Sequence, residues 1–367
     1  MKKEKILITG GAGFIGSHTA DALAKKGYKI RILDNLENVV HGGRWPKYVL
    51  GKGYELIRGD VRKKSDWVRA LKGVSFVYHF AAYQDQRPDF SKFFHVNTVG
   101  TALLYELIVE KKLPIKKVVI ASSQFVYGDG IYRCVHNRKV FYPELRNSKD
   151  LKSKKFEIVC DHGKPFDAAQ GKPAKFLPFK EDQALNPTNS YGLSKEALER
   201  LALKFGKTYG VPTTILRYSV VQGARQSPRN LYSGALRIFV TQALRGKPIT
   251  VFEDGEQVRD FVNIKDVVAA NLKVLENEKA DFEIFNVGGG RPWSVLRFAE
   301  LVKKITGSKS QIKIGDFRRT DTRHAVSDIS KLKKLGLSRR NRRGWRPRFG
   351  PEDSVREYLE WYKKSSF

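Results

Sequence analysis

Short apolar runs alternate with amphipathic stretches through residues 1–220 of the chain. A continuous apolar run is typical of a strand covered on both faces, whereas apolar positions three or four residues apart are typical of a helix. The strands predicted in this way are 5–9, 29–34, 54–58, 76–80, 117–122 and 213–218, and the helices are 14–26, 97–110 and 190–209. Strands that alternate with helices predict βαβ units, and therefore an α/β fold built on a doubly wound parallel sheet.

Two parts of the chain do not fit this alternation. Residues 130–182 are polar and rich in Lys, Pro and Asp, and they are predicted to be an insertion because structureless loops of that length are uncommon in compact domains. From residue 221 onward, Gly and Pro breaks indicate a smaller α+β domain. We therefore predict a first domain of residues 1–220, which includes the insertion and is completed by 260–285. The second domain is predicted to comprise 221–259 and 286–367.

Composition sets limits on this picture. With 367 residues, of which 41% are hydrophobic and 11% aromatic, the chain is predicted to fold around a sizeable core. The N-terminal segment MKKEKILITGG has too short an apolar stretch for a signal peptide or a membrane-spanning helix, so we expect a cytoplasmic protein without a membrane partner. Cys134 and Cys160 are the only cysteines, too few for a disulfide framework.

The chain is strongly basic, with 69 Lys and Arg against 38 Asp and Glu and a formal net charge of +31. Such a charge attracts any polyanion, including nucleic acid, anionic lipid and a nucleotide diphosphate. The basic residues are scattered evenly, which is typical of solvated helix faces and disfavours a dedicated nucleic-acid site. The densest basic run, 338–348, contains Gly344 and Pro347 and is predicted to be a surface loop.

A glycine-rich segment, TGGAGFIGSH, joins the first predicted strand to the first predicted helix. Gly10, Gly13 and Gly16 have the spacing G-x-x-G-x-x-G, which allows a tight turn and brings backbone N–H groups at a helix N-terminus close to a pyrophosphate. The alternative is a tight turn with no ligand. Asp34 ends the next strand, where a carboxylate would bind the ribose hydroxyls of NAD and repel the 2′-phosphate of NADP. The sequence therefore predicts NAD as the cofactor.

The carboxyl ends of the other predicted strands are expected at the same sheet edge, and they supply further predicted NAD contacts. Asp60 follows the third strand and is expected near the adenine, and the backbone of residues 80–82 is expected to face the cofactor. The NAD-binding residues predicted around this edge are Phe14, Ile15, Asn35, Asp60, Val61, Phe80, Ala81 and Ala82.

Tyr191 and Lys195 form the pattern Y-x-x-x-K within the predicted helix 190–209. The two side chains share a helix face, and an ammonium beside a phenol favours the phenolate, so Tyr191 is expected to act as a base below its ordinary pKa of about 10. The same pattern is also common as a solvated pair. Ser123, after the strand 117–122, offers a hydroxyl at the sheet edge, although a serine there is also typical of a loop hydrogen bond. These three residues are the candidate catalytic set.

Several further motifs occur in the same order as in a known family. LDN (33–35), GDV (59–61), HFAA (79–82), SSQFVYG (122–128), YGLSK (191–195), LRY (216–218) and RDF (259–261), with the glycine segment, resemble those of the extended short-chain dehydrogenase/reductase family. The match resembles its NAD-dependent nucleotide-sugar epimerase/dehydratase branch over nearly the full chain. It implies a Rossmann domain followed by a nucleotide-sugar-binding domain. A subgroup named dTDP-L-rhamnose 4-epimerases is similar in the insertion as well.

The resemblance implies roles for individual residues. Tyr191 would be the catalytic base, Ser123 its hydroxyl partner, and Lys195 the residue that binds the nicotinamide ribose and lowers the pKa of Tyr191. The base would take the proton of the sugar 4-hydroxyl while the 4-hydride passes to NAD, and the 4-keto sugar would recover the hydride on its other face. A homodimer through helices 97–110 and 190–209 is also implied. The implied substrate-binding residues are Gln84, Ser123, Gln124, Asn230, Arg259 and Arg318. The further implied NAD contacts are Asn97, Tyr191, Lys195 and Tyr218, of which Tyr218 would lie beside the nicotinamide.

Two features distinguish the chain from other members of that branch. Gln124 and Phe125 follow the catalytic hydroxyl where the dehydratases have an acidic pair or a glutamate, so dehydration is disfavoured. The insertion also contains two C-x-H pairs whose side chains are of the types that bind tetrahedral zinc. The alternative is two ordinary thiols in a polar loop. The candidate zinc ligands are Cys134, His136, Cys160 and His162.

The leading hypothesis from the sequence is an NAD-dependent 4-epimerase that acts on a UDP- or dTDP-linked sugar and holds its NAD tightly. An enzymatic alternative is another conversion through a 4-keto sugar, by a reductase, a decarboxylase or a dehydratase. A non-enzymatic alternative is an NAD-binding scaffold associated with nucleic acid, motivated by the charge of +31. It ranks lower because the catalytic set is intact.

Overall fold

The computed structural model describes residues 4–85, 87–160, 174–228, 234–319, 321–337 and 344–365. Within them the strands are β1 Lys5–Thr9, β2 Lys29–Asp34, β3 Glu55–Arg58, β4 Phe76–His79, β5 Lys117–Ser123, β6 Ile131–Arg133, β7 Val140–Phe141, β8 Lys175–Leu177, β9 Thr213–Tyr218, β10 Val220–Gln222, β11 Ile249–Val251, β12 Val258–Asn263, β13 Ile284–Val287, β14 Pro292–Ser294, β15 Ile312–Ile314 and β16 His324–Ala325.

The α-helices of the described residues are α1 Phe14–Lys25, α2 Asn38–His41, α3 Lys64–Leu71, α4 Phe90–Phe93, α5 Gly100–Glu110, α6 Ser148–Lys152, α7 Ser190–Tyr209, α8 Ala235–Leu244, α9 Ile264–Leu275, α10 Val295–Thr306, α11 Ser330–Lys334 and α12 Pro351–Lys364. A π-helical segment, Phe94–Val99, leads into α5, and 3-10 turns span Gln124–Tyr127 and Glu278–Ala280. None of the helices described is both long and apolar enough to cross a membrane.

Seven strands form one parallel sheet in the order β13-β9-β5-β4-β1-β2-β3. Their carboxyl ends are in step, because Thr9 at the end of β1 pairs with Leu33 in β2 and with His79 at the end of β4. From β1 the chain builds first toward β3 and then, from β4, toward the opposite side. Ligands bind at such a reversal in open α/β sheets, outside the carboxyl ends of the strands. The predicted fold class is confirmed.

Helices cover both faces of this sheet. Along β1, Ile6 and Ile8 belong to the core that includes α1 and α9, whereas Leu7 belongs to the core of the opposite face, which includes α3, α5 and α7. All three side chains are fully buried. Because neither face meets water, the three central positions of the strand are all apolar, and this apolar run is the pattern that predicted the strand.

After β9 the chain builds a second, smaller layer. The strands β10, β12 and β14 form a sheet in that order with β16 paired to β12, and β11 pairs with β15. Helices α8, α10 and α12 pack here around Phe239, Phe298 and Tyr358. Strand β13 then returns to the parallel sheet beside β9. The residue boundaries given above for the two domains stay a prediction.

The insertion is a small folded unit in its described part. Strands β7, β6 and β8 form an antiparallel sheet in that order, and the short helix α6 follows β7. Its core is formed by Tyr132, Cys134, Ile158, Cys160 and Ala174, with Phe141 and Phe176 packed against it.

Candidate functional site

A cleft of about 960 Å³ runs along the carboxyl edge of the parallel sheet. It begins at the glycine segment after β1, passes the ends of β4 and β5, and reaches β12 in the second sheet. The structure therefore brings together at one cavity most of the site residues predicted from sequence. Those that line it are Gly10, Gly13, Phe14, Ile15, Gly16, Asn35, Phe80, Ala82, Gln84, Ser123, Gln124, Tyr191, Lys195, Tyr218, Arg259 and Arg318.

The glycine segment is shaped so that side chains would not fit. Gly10 has φ +66°, and a Cβ there would lie 2.7 Å from the backbone nitrogen of Ala81. A Cβ on Gly16 would lie 2.3 Å from the carbonyl oxygen of Gly10. Gly13 is the N-cap of α1, so the free N–H groups of the first helical turn lie at the cleft. Bare backbone at a helix N-terminus fits the pyrophosphate of NAD.

Asp34 braces the glycine segment from behind. Its carboxylate accepts hydrogen bonds from the backbone N–H of Ala12 at 3.0 Å and of Leu36 at 2.9 Å. The side chain is buried, which raises its pKa, and the neighbouring Asn35 rather than Asp34 lines the cleft. Direct contact between Asp34 and the ribose of NAD stays a prediction.

Four other predicted NAD contacts also lie behind the cleft wall rather than on it. The N–H of Ala81 donates to the hydroxyl of Thr9 at 3.1 Å, and the amide of Asn97 donates to the hydroxyl of Ser194 at 2.9 Å. Such bonds fix the wall on which a cofactor would rest, and direct contacts by these residues stay predictions. The four are Asp60, Val61, Ala81 and Asn97.

Ser123, Tyr191 and Lys195 meet at the cleft as predicted. Ser123 ends β5, and the other two lie one turn apart on α7. The side chains of Ser123 and Tyr191 are hydrogen-bonded to each other. The Lys195 ammonium donates to the carbonyl oxygen of Ala121 at 2.8 Å and lies 5.9 Å from the centre of the Tyr191 ring. A hydroxyl pair and a buried ammonium are thus held at one point of the cavity.

Burial changes the acidity of both α7 residues. It raises the pKa of Tyr191 to about 12, opposed by the hydrogen bond with Ser123. It lowers the pKa of Lys195 to about 8, opposed by the negative charge of Glu199. The expectation that Lys195 brings the pKa of Tyr191 below its ordinary value is therefore not met by the protein alone. The reason is that the phenol is desolvated while the ammonium is bonded to the backbone of Ala121.

The sequence did not predict a role for Glu199, which connects β5, the strand that ends in Ser123, with α7, the helix that carries Tyr191 and Lys195. Its buried carboxylate accepts a hydrogen bond from the hydroxyl of Ser122 at 2.5 Å and pairs with the guanidinium of Arg217 at 2.7 Å. Ser122 directly precedes the catalytic serine on β5, and Glu199 lies one helical turn after Lys195 on α7. The extended spacing Y-x-x-x-K-x-x-x-E was the available signal.

Replacing Glu199 with glutamine is expected to lower both the free energy of unfolding and the pKa of Lys195. Loss of one partner of a buried ion pair costs about 3–5 kcal/mol of unfolding free energy, here because Arg217 stays buried. The carboxylate raises the pKa of Lys195, so its removal lowers that pKa and the ammonium is lost at a lower pH. We expect kcat at pH 8 to fall by about tenfold, with the basic limb of the pH profile moved to lower pH.

The matched control is Glu196→Gln on the same helix, because Glu196 forms only an i,i+4 pair with the exposed Arg200. It should leave both the urea unfolding curve and the pH profile unchanged. A Glu199→Gln protein with a wild-type pH profile would contradict the role assigned to Glu199.

Two arginines stand at the other end of the cleft. The guanidinium of Arg259 pairs with Asp321 at 2.6 Å, and that of Arg318 lies over the Phe252 ring at 4.1 Å from its centre. All four side chains line the cleft. Guanidinium groups suit the oxygen geometry of a diphosphate. Asp321 was not predicted from the sequence, where its position three residues after Arg318 was the only indication that it belongs to the site.

The two predicted glutamines also line this cavity. Gln124 is buried, and its side-chain carbonyl oxygen has no hydrogen-bond partner among the described residues. A buried acceptor without a partner is costly, so this oxygen is suited to accept a hydrogen bond from a ligand hydroxyl. Asn230, the remaining predicted substrate contact, lies outside the described residues.

The predicted zinc site is described only in part. The thiols of Cys134 and Cys160 are buried and hydrogen-bonded to each other, and the N–H of Asn137 donates to the Cys134 sulfur at 3.4 Å. The ring of the exposed His136 is described, but His162 lies outside the described residues. Within the part of the chain that the structure describes, no three His, Cys, Asp or Glu side chains form a metal cluster.

The zinc assignment stays a prediction that metal analysis tests. One zinc per chain is expected in the purified protein, with loss of the metal in Cys160→Ser, because tetrahedral zinc needs its thiolate ligands. Zinc-free protein purified without chelator would contradict the prediction and leave a buried thiol pair.

Comparison with known proteins agrees with this geometry. The family model described as "NAD dependent epimerase/dehydratase family" matches residues 6–142 and 167–288. A dTDP-L-rhamnose 4-epimerase of Burkholderia thailandensis is 30% identical over 98% of this chain and 94% of its own length. A putative UDP-glucose 4-epimerase of Methanocaldococcus jannaschii is 30% identical over 98% of this chain and 99% of its own length.

Solved structures agree as well. The UDP-glucuronic acid 4-epimerase from Bacillus cereus, in complex with UDP-glucuronic acid and NAD, superposes with a TM-score of 0.78 at 26% identity, covering 98% of this chain and 99% of that one. The resemblance drawn from the sequence motifs is thus confirmed, as are the enzyme class and NAD as the cofactor of that class. The chain belongs to the NAD dependent epimerase/dehydratase family.

Proposed function

We propose that the protein is a nucleotide-sugar 4-epimerase that works through a 4-keto intermediate on tightly bound NAD. The observation that carries this proposal is the grouping of Ser123, Tyr191 and Lys195 in one cleft whose far end holds Arg259 and Arg318. The cleft thus combines groups for proton transfer beside a hydroxyl with cations for a diphosphate. Relatives named as sugar 4-epimerases support the same reading.

The proton transfer falls to Tyr191. Its phenolic oxygen is the group at the cleft that can take the proton of the sugar 4-hydroxyl and later return it, and the hydrogen bond with Ser123 holds the phenol in place. Lys195, anchored on the carbonyl of Ala121, adds positive charge beside the phenol. When bound, NAD would supply a hydride acceptor and positive charge in the cleft.

Two neighbours argue for epimerisation over dehydration. Gln124 and Phe125 follow Ser123 at the cleft, and neither can donate or accept the proton that loss of water from the sugar requires. The neutral amide of Gln124 is instead suited to hold a sugar hydroxyl.

The preference for NAD over NADP rests on the charge near the glycine segment. Asp34 lies behind it and Glu37 lines the cleft close by, so a 2′-phosphate there would meet negative charge. The two-domain division, with 221–259 and 286–367 as the nucleotide-sugar-binding part, belongs to the same proposal.

A homodimer through α5 and α7 is also proposed. Val99, Leu193 and Tyr209, on or beside these helices, are 44%, 45% and 55% exposed, and a dimer through this surface would cover them. Light scattering should give twice the mass of the chain. The cytoplasmic location and the role of the charge of +31 stay predictions.

Incubation of the purified protein with UDP- and dTDP-hexoses, without added NAD, tests the proposal. Proton NMR is expected to show the C4 epimer of at least one of them. Consumption of added NADH would favour a reductase, and release of carbon dioxide from a uronate sugar would favour a decarboxylase. Salt-sensitive RNA binding that ignores NAD, in a protein without turnover, would favour the scaffold alternative.

A further inference from the structure

The insertion reaches the diphosphate end of the cleft through one buried arginine. Arg146 precedes α6 and is 6% exposed. Its guanidinium donates to the backbone carbonyl oxygens of Asp321 at 2.5 Å and Arg318 at 3.4 Å, and it pairs with the carboxylate of Glu253 at 2.7 Å. One side chain of the insertion thus holds the backbone of Arg318 and Asp321, and both of these residues line the cleft.

The insertion also contacts Arg323 and His324, which follow Asp321 closely in the chain. The carboxylate of Glu157 accepts a hydrogen bond from Arg323 at 2.9 Å, and Arg323 is fixed on its other side by Asp254 at 2.7 Å. The ring of Phe176 stacks on His324 with 4.8 Å between the ring centres. Loop segments that make many contacts of this kind exchange between fewer conformations.

These contacts lead directly to the cleft. Asp321, whose carbonyl oxygen is bonded to Arg146, uses its carboxylate to hold the guanidinium of Arg259 at 2.6 Å. Arg146 therefore acts on both cleft arginines: on Arg318 through its backbone and on Arg259 through Asp321. A shift of the backbone at Arg318 and Asp321 would therefore move two guanidinium groups, those of Arg318 and Arg259.

The cost of Arg146 indicates a role beyond stability. Its Nε and Nη1 atoms are buried and have no hydrogen-bond partner among the described residues. A buried guanidinium with unused donors destabilises a fold relative to an apolar side chain of similar size, so a simple packing residue would serve better.

We propose that the insertion is a brace for the diphosphate subsite and that Arg146 is its positioning residue. It sets Arg259 and Arg318 before the substrate arrives, so that the nucleotide does not have to order them on binding. The ligand named here rests on the proposed nucleotide-sugar activity, whereas the brace itself rests only on the contacts above.

The test compares Arg146→Ala with wild type, with Arg146→Lys as the conservative variant and Arg133→Ala as the control, since Arg133 is an exposed arginine of the same insertion. Hydrogen exchange of the free proteins is expected to speed up most in residues 321–328 of Arg146→Ala and to stay at the wild-type rate in Arg133→Ala. Calorimetry with UDP and dTDP is expected to show a Kd raised by about tenfold, because the nucleotide must then order the two arginines as it binds. KM should rise while kcat and bound NAD stay at wild-type values.

Arg146→Lys keeps a positive charge and hydrogen-bond donors but loses the planar guanidinium, so it should lie between wild type and Arg146→Ala. It keeps the proposal testable if the alanine variant does not fold. Unchanged exchange and unchanged Kd in Arg146→Ala would overturn it, and so would a fall of kcat at constant KM. If neither nucleotide binds to wild type, the proposed function fails, and the exchange measurement still decides the brace.

Discussion

Replacing Tyr191 with phenylalanine is expected to lower kcat by about 10³-fold, which is the range that one positioned acid–base group contributes. The variant loses only the phenolic oxygen that is hydrogen-bonded to Ser123. Its ring is edge-on to Phe125 and buried, so phenylalanine should keep the packing and the bound NAD. Steady-state assays and the absorbance of released NAD measure the two quantities.

Tyr142→Phe is the matched control, because Tyr142 is 40% exposed and does not line the cleft. It should keep wild-type kcat. Turnover in Tyr191→Phe within tenfold of wild type would show that another group moves the proton.

Replacing Gly16 with alanine is expected to produce a folded protein that loses its NAD on purification. The added Cβ would lie 2.3 Å from the carbonyl oxygen of Gly10, so the loop must shift where the pyrophosphate would rest. Overpacking of this kind costs about 1–3 kcal/mol, which would weaken NAD binding by roughly 10- to 100-fold if it falls on the loop. NAD content per chain is the measurement.

Gly307→Ala separates this effect from general strain. Gly307 ends α10 with φ +65° and has open space around its Cα, so alanine there costs stability without touching the cleft. It should lower the Tm and keep full NAD content. A Gly16→Ala protein with wild-type NAD content would contradict the placement of the cofactor on this loop.

The parallel sheet was predictable because its strands contain short runs of consecutive apolar residues, such as 6–8 in β1 and 118–121 in β5. The predicted strands 5–9, 29–34 and 213–218 coincide with β1, β2 and β9. The strands 54–58, 76–80 and 117–122 differ from β3, β4 and β5 by one residue. The first and last residues of a strand are harder to predict than its central residues, because the apolar pattern ends where the chain turns.

The helix predicted over 97–110 shows where local patterns reach their limit. The structure continues it upstream through the π-helical segment Phe94–Val99 and gives α-helical geometry only from Gly100. The amide of Asn97 bonds to Ser194 on α7, a contact between residues far apart in sequence. Hydrophobic periodicity records which face is buried and not such individual bonds.

Some residues of the candidate site could be predicted from the sequence and others could not. Residues placed by strand ends and helix spacing, such as Ser123, Tyr191 and Lys195, were found because chain geometry carries them to one edge. Glu199 and Arg146 were missed because their roles depend on partners that only the folded chain brings near, Arg217 and Asp321. The raised pKa of Tyr191 in the protein without its cofactor was also not predicted, since burial of the phenol could not be read from the motif.

The central claim is that the hydride removed from C4 of the sugar returns to C4 of the same sugar. The test uses a nucleotide sugar that the epimer assay has shown to be a substrate, prepared with deuterium at C4. It is incubated with the purified protein without added NAD, and the products are examined by NMR. The account predicts both C4 epimers, each with deuterium retained at C4. Failure to form the epimer, or an epimer whose C4 deuterium is replaced by solvent hydrogen, would contradict it.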